Sequence, residues 1–191
     1  MISDKVLEKI DNHMRCFSDF YLNDQTVEKL TNIILPIADC IETGGKIFIC
    51  GNGGSASDAQ HFAAELVGRF EKERRAINAI ALTTNTSILT AIGNDYGFED
   101  IFSRQVEAIG KEKDILIGIS TSGKSKNIIK AFKVAKEKEI LTISLTGNNG
   151  GNLKKVSDLN LNVKNKNTAT IQEIHIIIIH TIAGIIEDLL C

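Results

Sequence analysis

The 191-residue sequence has no Cys-x-x-Cys pair; its four cysteines, Cys16, Cys40, Cys50 and Cys191, are scattered. That argues against both a cysteine zinc site and a disulfide framework, and points to a reducing compartment. It also lacks a block of like charge. Lys+Arg number 22 against Asp+Glu 24, for a formal net charge of -2, so no nucleic-acid or membrane-surface partner is expected, and a small molecule or a protein is the better candidate. The opening MISDKVLEKIDNHMRCF never offers the uninterrupted apolar core of a signal peptide. The most apolar segment, IQEIHIIIIHTIAGIIEDLL, is broken by Glu173, His175 and His180, each costly in lipid. A cytoplasmic protein with this segment as a buried helix is expected. No repeat, low-complexity tract or linker divides the chain, and its length suits one domain over 1–191.

What is present is periodicity of two kinds. Val6, Ile10, Met14 and Phe17, then Val27, Leu30, Ile34, Ile37 and Ile41, recur at helical spacing. They predict two helices joined near Asn23 and Asp24, the second kinked at Pro36. The apolar stripe of the first must pack on its own domain or on another subunit. After Gly44 and Gly45 short apolar runs take over: KIFIC (46–50), INAIAL (77–82), DILIGIS (114–120), ILTISL (140–145) and DLNLNV (158–163). Helical stretches lie between most of them, the pattern of a parallel sheet covered on both faces. In such sheets ligands bind beyond the carboxyl ends of strands, where this chain places turns rich in Gly, Ser, Thr and Asn.

Two of those turns resemble nucleotide sites. GISTSGKS, from Gly118 to Ser125, fits the phosphate-loop pattern GxxxxGK[ST], and GNGGSA, from Gly51 to Ala56, fits GxGxx[GA]. A triphosphatase also needs a metal-orienting Asp at another strand end, and a dinucleotide site needs an acid after the next strand. The runs end instead in Thr83–Thr84–Asn85, Thr146–Gly147 and Gly51, so NAD is disfavoured and a triphosphatase is left as a distant alternative. What both turns keep is hydroxyls and free amides at a helix N-terminus, a setting that favours an anion such as phosphate. Ser120, Thr121, Ser122 and Ser125 supply the hydroxyls.

Proton and metal chemistry has few candidates. His61 and Glu65 are four apart, on one helical face just after the first turn, while Gln172 and His180 are eight apart on a later helix. His175 and His180 each read by themselves as core histidines. If His180 converges with His61 and Glu65, imidazole and carboxylate together suit zinc.

Taken in order, CGNGGSASDAQHFAAELVGRF, AIGNDYGFEDIFSRQVEAIG, GISTSGKS, SLTGNNGG and IQEIHIIIIH strongly resemble the phosphoheptose isomerases of the SIS (sugar isomerase) superfamily, over almost the whole chain. The resemblance implies a three-layer flavodoxin-like α/β fold with a five-stranded parallel sheet, in which 1–43 are N-terminal helices used in oligomerisation and 44–191 the core. It implies a homotetramer with active sites between subunits. It also implies conversion of sedoheptulose 7-phosphate to D-glycero-D-manno-heptose 7-phosphate, toward the heptose of bacterial lipopolysaccharide or capsule. Ser120, Thr121, Ser122 and Ser125 would hold the phosphate with Asn52, Gly53, Gly54 and Ser55, and Asn94, Asp95 and Gln172 would contact the sugar. Glu65 and His180 would be the acid/base pair, and His61, Glu65, Gln172 and His180 would bind one zinc per subunit. A carboxylate fully engaged by zinc is a poor base, so the two roles given to Glu65 compete. Two departures stand out: Lys124 where many members have Asn, and Thr168–Ala169 where some relatives read Ala-Asp-Arg. The superfamily also holds a non-catalytic tetramer that binds the replication initiator and regulators that sense sugar phosphates. Keeping Glu65 with His61, Gln172 and His180 favours an enzyme.

Overall fold

The computed structural model describes residues 1–191, the side chain of Asp24 excepted. The apolar runs form β1 (Ile47–Gly51), β2 (Ala79–Ala81), β3 (Ile115–Ser120), β4 (Leu141–Gly147) and β5 (Leu159–Val163). All pair in parallel in the order β2-β1-β3-β4-β5, the flavodoxin-like arrangement expected. The second strand is shorter than its six-residue run because only its middle pairs with β1, Ile47 opposite Ala79 and Ile49 opposite Ala81.

The helices are α1 (Ile2–Tyr21), α2 (Asp24–Glu42), α3 (Gly54–Val67), α4 (Thr86–Asp95), α5 (Ser103–Ile109), α6 (Lys126–Glu137), α7 (Gly151–Val156) and α8 (Thr168–Leu190). Alternation along β1 separates two cores. Ile47 and Ile49 join Ile117, Leu145, Ile37, Phe62 and Ile179 beneath α2, α3 and α8. Phe48 and Cys50 join Leu116, Val106, Phe132 and Leu153 beneath α5, α6 and α7. Each such side chain contributes roughly 1.5–3 kcal/mol on burial. The apolar C-terminal segment is therefore a core helix, long and apolar enough to span a membrane by length alone. α2 runs unbroken through Pro36. All four cysteines are unpaired.

α1 is different. Of its apolar stripe Val6, Leu7, Ile10 and Met14 stand 51–61% exposed, and only Cys16 is buried. Of the two ways the stripe could be covered, its own domain provides little.

The N-terminal edge of the sheet is tied by Asp114, which accepts from Lys46 N and Lys111 N at 2.8 Å and pairs with Lys46 Nζ at 3.0 Å. The carboxyl edge is left for chemistry. There the chain leaves β1 to one side, makes β2, and returns to β3 on the other side, so β1 and β3 flank the switch point where open α/β sheets bind ligands.

Candidate active site

Two turns leave this crevice. After β1, Gly53 adopts φ 57 as the N-cap of the 14-residue α3 and offers no side-chain cap; Ser55 N donates instead to Asn52 O at 3.1 Å and Ala56 N to Gly53 O at 3.0 Å. After β3, Ser120 is buried and its Oγ lies 2.9 Å from Ser125 Oγ, while Ser122 Oγ accepts from Lys124 N at 3.2 Å. Gly123 turns the chain at φ 62; a Cβ there would stand 2.0 Å from Gly150 O. The turn between β4 and α7 therefore packs backbone to backbone on the serine turn, with Leu153 N donating to Gly123 O at 2.9 Å. Thr121 is half-buried at the mouth, and Lys124 is exposed. Hydroxyls and amides gather ahead of the 12-residue α6, whose dipole adds positive potential.

The two turns are also tied to each other. Asn52 Nδ2 donates to Asn127 Oδ1 at 3.0 Å, and Asn127 Nδ2 donates back to Asn52 Oδ1 at 2.8 Å. Asn127, buried on the first turn of α6, also accepts from Ile128 N at 3.0 Å. Nothing local in the chain marks this residue's part, because reciprocal amide pairing across 75 positions has no local signature.

Beside the turns, α3 and α8 run in the same direction. Gly54 lies so close to Gln172 that a Cβ would meet Nε2 at 2.3 Å. Two turns further along, His61 Nε2 and His180 Nε2 stand 2.8 Å apart, with the rings edge-on at 5.1 Å. Glu65 Oε1 lies 3.4 Å from His61 Nε2, its side chain 19% exposed. Asp58 falls on the same face of α3 by spacing, one turn before His61. Its Oδ2 is buried without a hydrogen-bond partner, and burial pushes the carboxyl up to about 6, opposed by the charge of His61. A ring of Phe70 closes the far side, stacked on His180 at 5.3 Å.

Among the described residues no group of three or more His, Cys, Asp or Glu side chains is arranged to hold a metal ion. What stands there is a facing pair of imidazole nitrogens with one carboxylate beside them. Gln172 is not brought to it: eight residues of helix put it about 12 Å from His180 on its own chain. Asn94 and Asp95 sit exposed at the end of α4, Asn94 Nδ2 donating to Asp95 Oδ1 at 2.8 Å. Among the described residues no hydrogen bond ties either to the serine turn.

This architecture has close counterparts. The SIS domain family model matches residues 20–147. The phosphoheptose isomerase of Campylobacter jejuni subsp. jejuni serotype O:6 is 62% identical over 152 residues, covering 80% of this chain and 82% of that protein. The chain belongs to the phosphoheptose isomerase family. The Helicobacter pylori (strain P12) phosphoheptose isomerase is 54% identical across 84% of this chain and 83% of its own. The solved phosphoheptose isomerase of Neisseria gonorrhoeae superposes with a TM-score of 0.93 at 43% identity, over 98% of this chain and all of that one. That of Francisella tularensis gives 0.94 at 38%, over 98% and 99%. In this phosphoheptose isomerase fold, the serine turn and the glycine turn lie at the carboxyl edge of the sheet, and the His61–Glu65–His180 group lies two to three helical turns further along α3 and α8.

Proposed function

We infer that the chain interconverts sedoheptulose 7-phosphate and D-glycero-D-manno-heptose 7-phosphate, the aldose-ketose isomerisation that feeds bacterial heptose biosynthesis. The observation that carries the reading is the convergence of His61, Glu65 and His180 on α3 and α8, the first of which starts at the glycine turn, in a chain of this family. The phosphate would sit against the hydroxyls of Ser120, Thr121, Ser122 and Ser125, joined by Gly53, Gly54 and Ser55 of the glycine turn, with Asn52 held in place by Asn127.

The chemistry moves one hydrogen between neighbouring carbons. A base removes a proton from C1 of the ketose, the C1–C2 double bond forms, and the electron pair of the C2 carbonyl settles on O2 as it takes up a proton, giving the enediol. O1 then loses its proton, the C1 carbonyl forms, and C2 receives a proton, giving the aldose. Glu65, a half-buried carboxylate on the rim, is the base at carbon. His180 carries the proton between O1 and O2, a role suited to imidazole near neutral pH. The pairing of two Nε2 atoms at 2.8 Å requires that one proton, or one cation, lie between them.

Imidazole and carboxylate together are donor types that suit zinc, which supports one ion per subunit as a proposal. A tetrahedral site with bonds near 2.0–2.1 Å sets neighbouring ligands about 3.3 Å apart, close to the 2.8 and 3.4 Å observed, and the orphaned Asp58 oxygen adds negative charge nearby. His61, Glu65 and His180 would hold the ion, and Gln172 could join only from another subunit. Bound zinc would polarise the sugar oxygens. A homotetramer with active sites between subunits would bring in Asn94, Asp95 and Gln172, and the cytoplasm, where sugar phosphates are made, is the proposed location. Incubation of the protein with sedoheptulose 7-phosphate, followed by NMR with zinc supplied, should reveal heptose 7-phosphate. No conversion would remove the enzyme reading in favour of a sugar-phosphate-binding scaffold.

A further inference from the structure

Between α3 and β2, residues 68–78 form no helix or strand, yet a buried ion pair fixes them. Glu187 lies seven residues beyond His180, two turns along the same face of α8. Its side chain is 1% exposed and that of Arg74 3%. Glu187 Oε1 accepts from Phe70 N at 2.7 Å, and Oε2 accepts from Glu71 N at 2.7 Å and Lys72 N at 2.8 Å. Arg74 Nε stands 3.0 Å from Oε1, off the line of a hydrogen bond. Burial pushes this carboxyl up, but the three N–H groups and the Arg74 charge outweigh it and hold the group at about 2.

The guanidinium reaches the other way. It donates to Glu65 O at 2.6 Å and Leu66 O at 2.9 Å, at the end of α3 where unpaired carbonyls and the dipole favour a cation. Arg74 thus braces the helical turn that carries Glu65. Glu187 braces the backbone of Phe70, whose ring lies over His180 with the planes 30° apart. The same ring passes Gly184, where a Cβ would stand 3.6 Å from it. Phe70 therefore fills the stretch of α8 between His180 and Glu187, held by its backbone at one end and resting its ring on the imidazole at the other.

We propose that Glu187, Arg74 and Phe70 are positioning residues for the proton-transfer pair: the ion pair sets the loop, the loop sets the Phe70 ring, and the ring fixes the plane of the His180 imidazole. None of the three is a reacting group. The proposal rests on the reading of His180 as the group that moves protons. A clamp that served stability alone would change the melting temperature and leave turnover of the folded protein intact.

Steady-state kinetics of the full chain on sedoheptulose 7-phosphate, beside thermal unfolding, separate the two. Phe70→Leu should lower kcat roughly ten- to a hundredfold with KM changed less than about twofold. Phe70→Tyr keeps the ring and should restore kcat to within about twofold. Glu187→Gln should reproduce the loss, and the double variant should lose no more than the worse single one, because both act through one contact. Wild-type kcat in Phe70→Leu, or a Phe70→Tyr variant as impaired as Phe70→Leu, overturns the proposal; if Glu187→Gln does not fold, the Phe70 pair decides alone. His180→Gln is the reference: full activity there overturns the reading of His180 itself, whereas an inactive His180→Gln beside a fully active Phe70→Leu sinks only the positioning role.

Discussion

Lys124 completes the phosphate-loop string and yet is exposed, while the buried Ser120 and its partner Ser125 face the crevice. Replacement by Asn is therefore expected to leave kcat/KM for sedoheptulose 7-phosphate within about twofold; a tenfold rise in KM would mean the ammonium reaches the phosphate. His175 is the opposite case, a core residue with no part in the crevice. Its Nε2 lies 3.2 Å from Thr146 O and its Nδ1 is buried without a partner. Burial pushes its pKa down from 6.5 to about 4, partly offset by the Thr146 carbonyl. Above pH 6.5 folded and unfolded chains both hold it neutral. As pH falls from there toward 4 only the unfolded chain takes up the proton, so stability drops by on the order of 3 kcal/mol and then levels. Urea unfolding between pH 7 and pH 4 should show this slope, and His175→Gln should flatten it; an unchanged slope would assign the loss to other groups.

At the scale of elements, the site depends on two turns docked by their backbones. Gly123→Ala puts a Cβ at φ 62 and 2.0 Å from Gly150 O, so either the serine turn or the turn before α7 must move. A melting temperature several degrees lower and a weakened affinity for the sugar phosphate are expected, measured by thermal unfolding and by KM; an unperturbed variant would show that the contact yields freely. Strands, helices and both turns were legible in the sequence because buried parallel strands read as continuous apolar runs, and Gly, Ser and Asn mark where they end. INAIAL promised a longer strand than forms, since nothing in its six apolar and polar letters tells that only Ala79–Ala81 pair with β1. The spacing of His61 and Glu65 gave their common face directly. His180 joins them only because α3 and α8 run side by side, a fact that no local pattern holds. Asn127, Phe70, Arg74 and Glu187 were silent for the same reason, as their partners lie 75 to 117 positions away in three of the contacts that matter.

At the scale of the whole molecule, one chain leaves its own account unfinished. Val6, Leu7, Ile10 and Met14 hold an apolar stripe in solvent, Gln172 stands apart from the His61–Glu65–His180 group it was expected to join, and Asn94 and Asp95 sit exposed at the end of α4. The proposed tetramer, in which helices would cover one another and neighbours would complete the site, would meet both features. Sedimentation of the wild-type protein should give a four-chain mass, and Ile10→Glu with Met14→Glu should reduce that mass and the activity together; an active monomer would contradict shared sites.

The central claim is that Glu65, set beside His61 and His180, removes the proton that starts the isomerisation. The most direct test is turnover of sedoheptulose 7-phosphate by Glu65→Gln, a change that keeps the side chain's size and hydrogen-bonding reach but removes its basicity. The variant is expected to fold and assemble like the wild type and to form no detectable heptose 7-phosphate; wild-type turnover in it would mean that another group removes the proton.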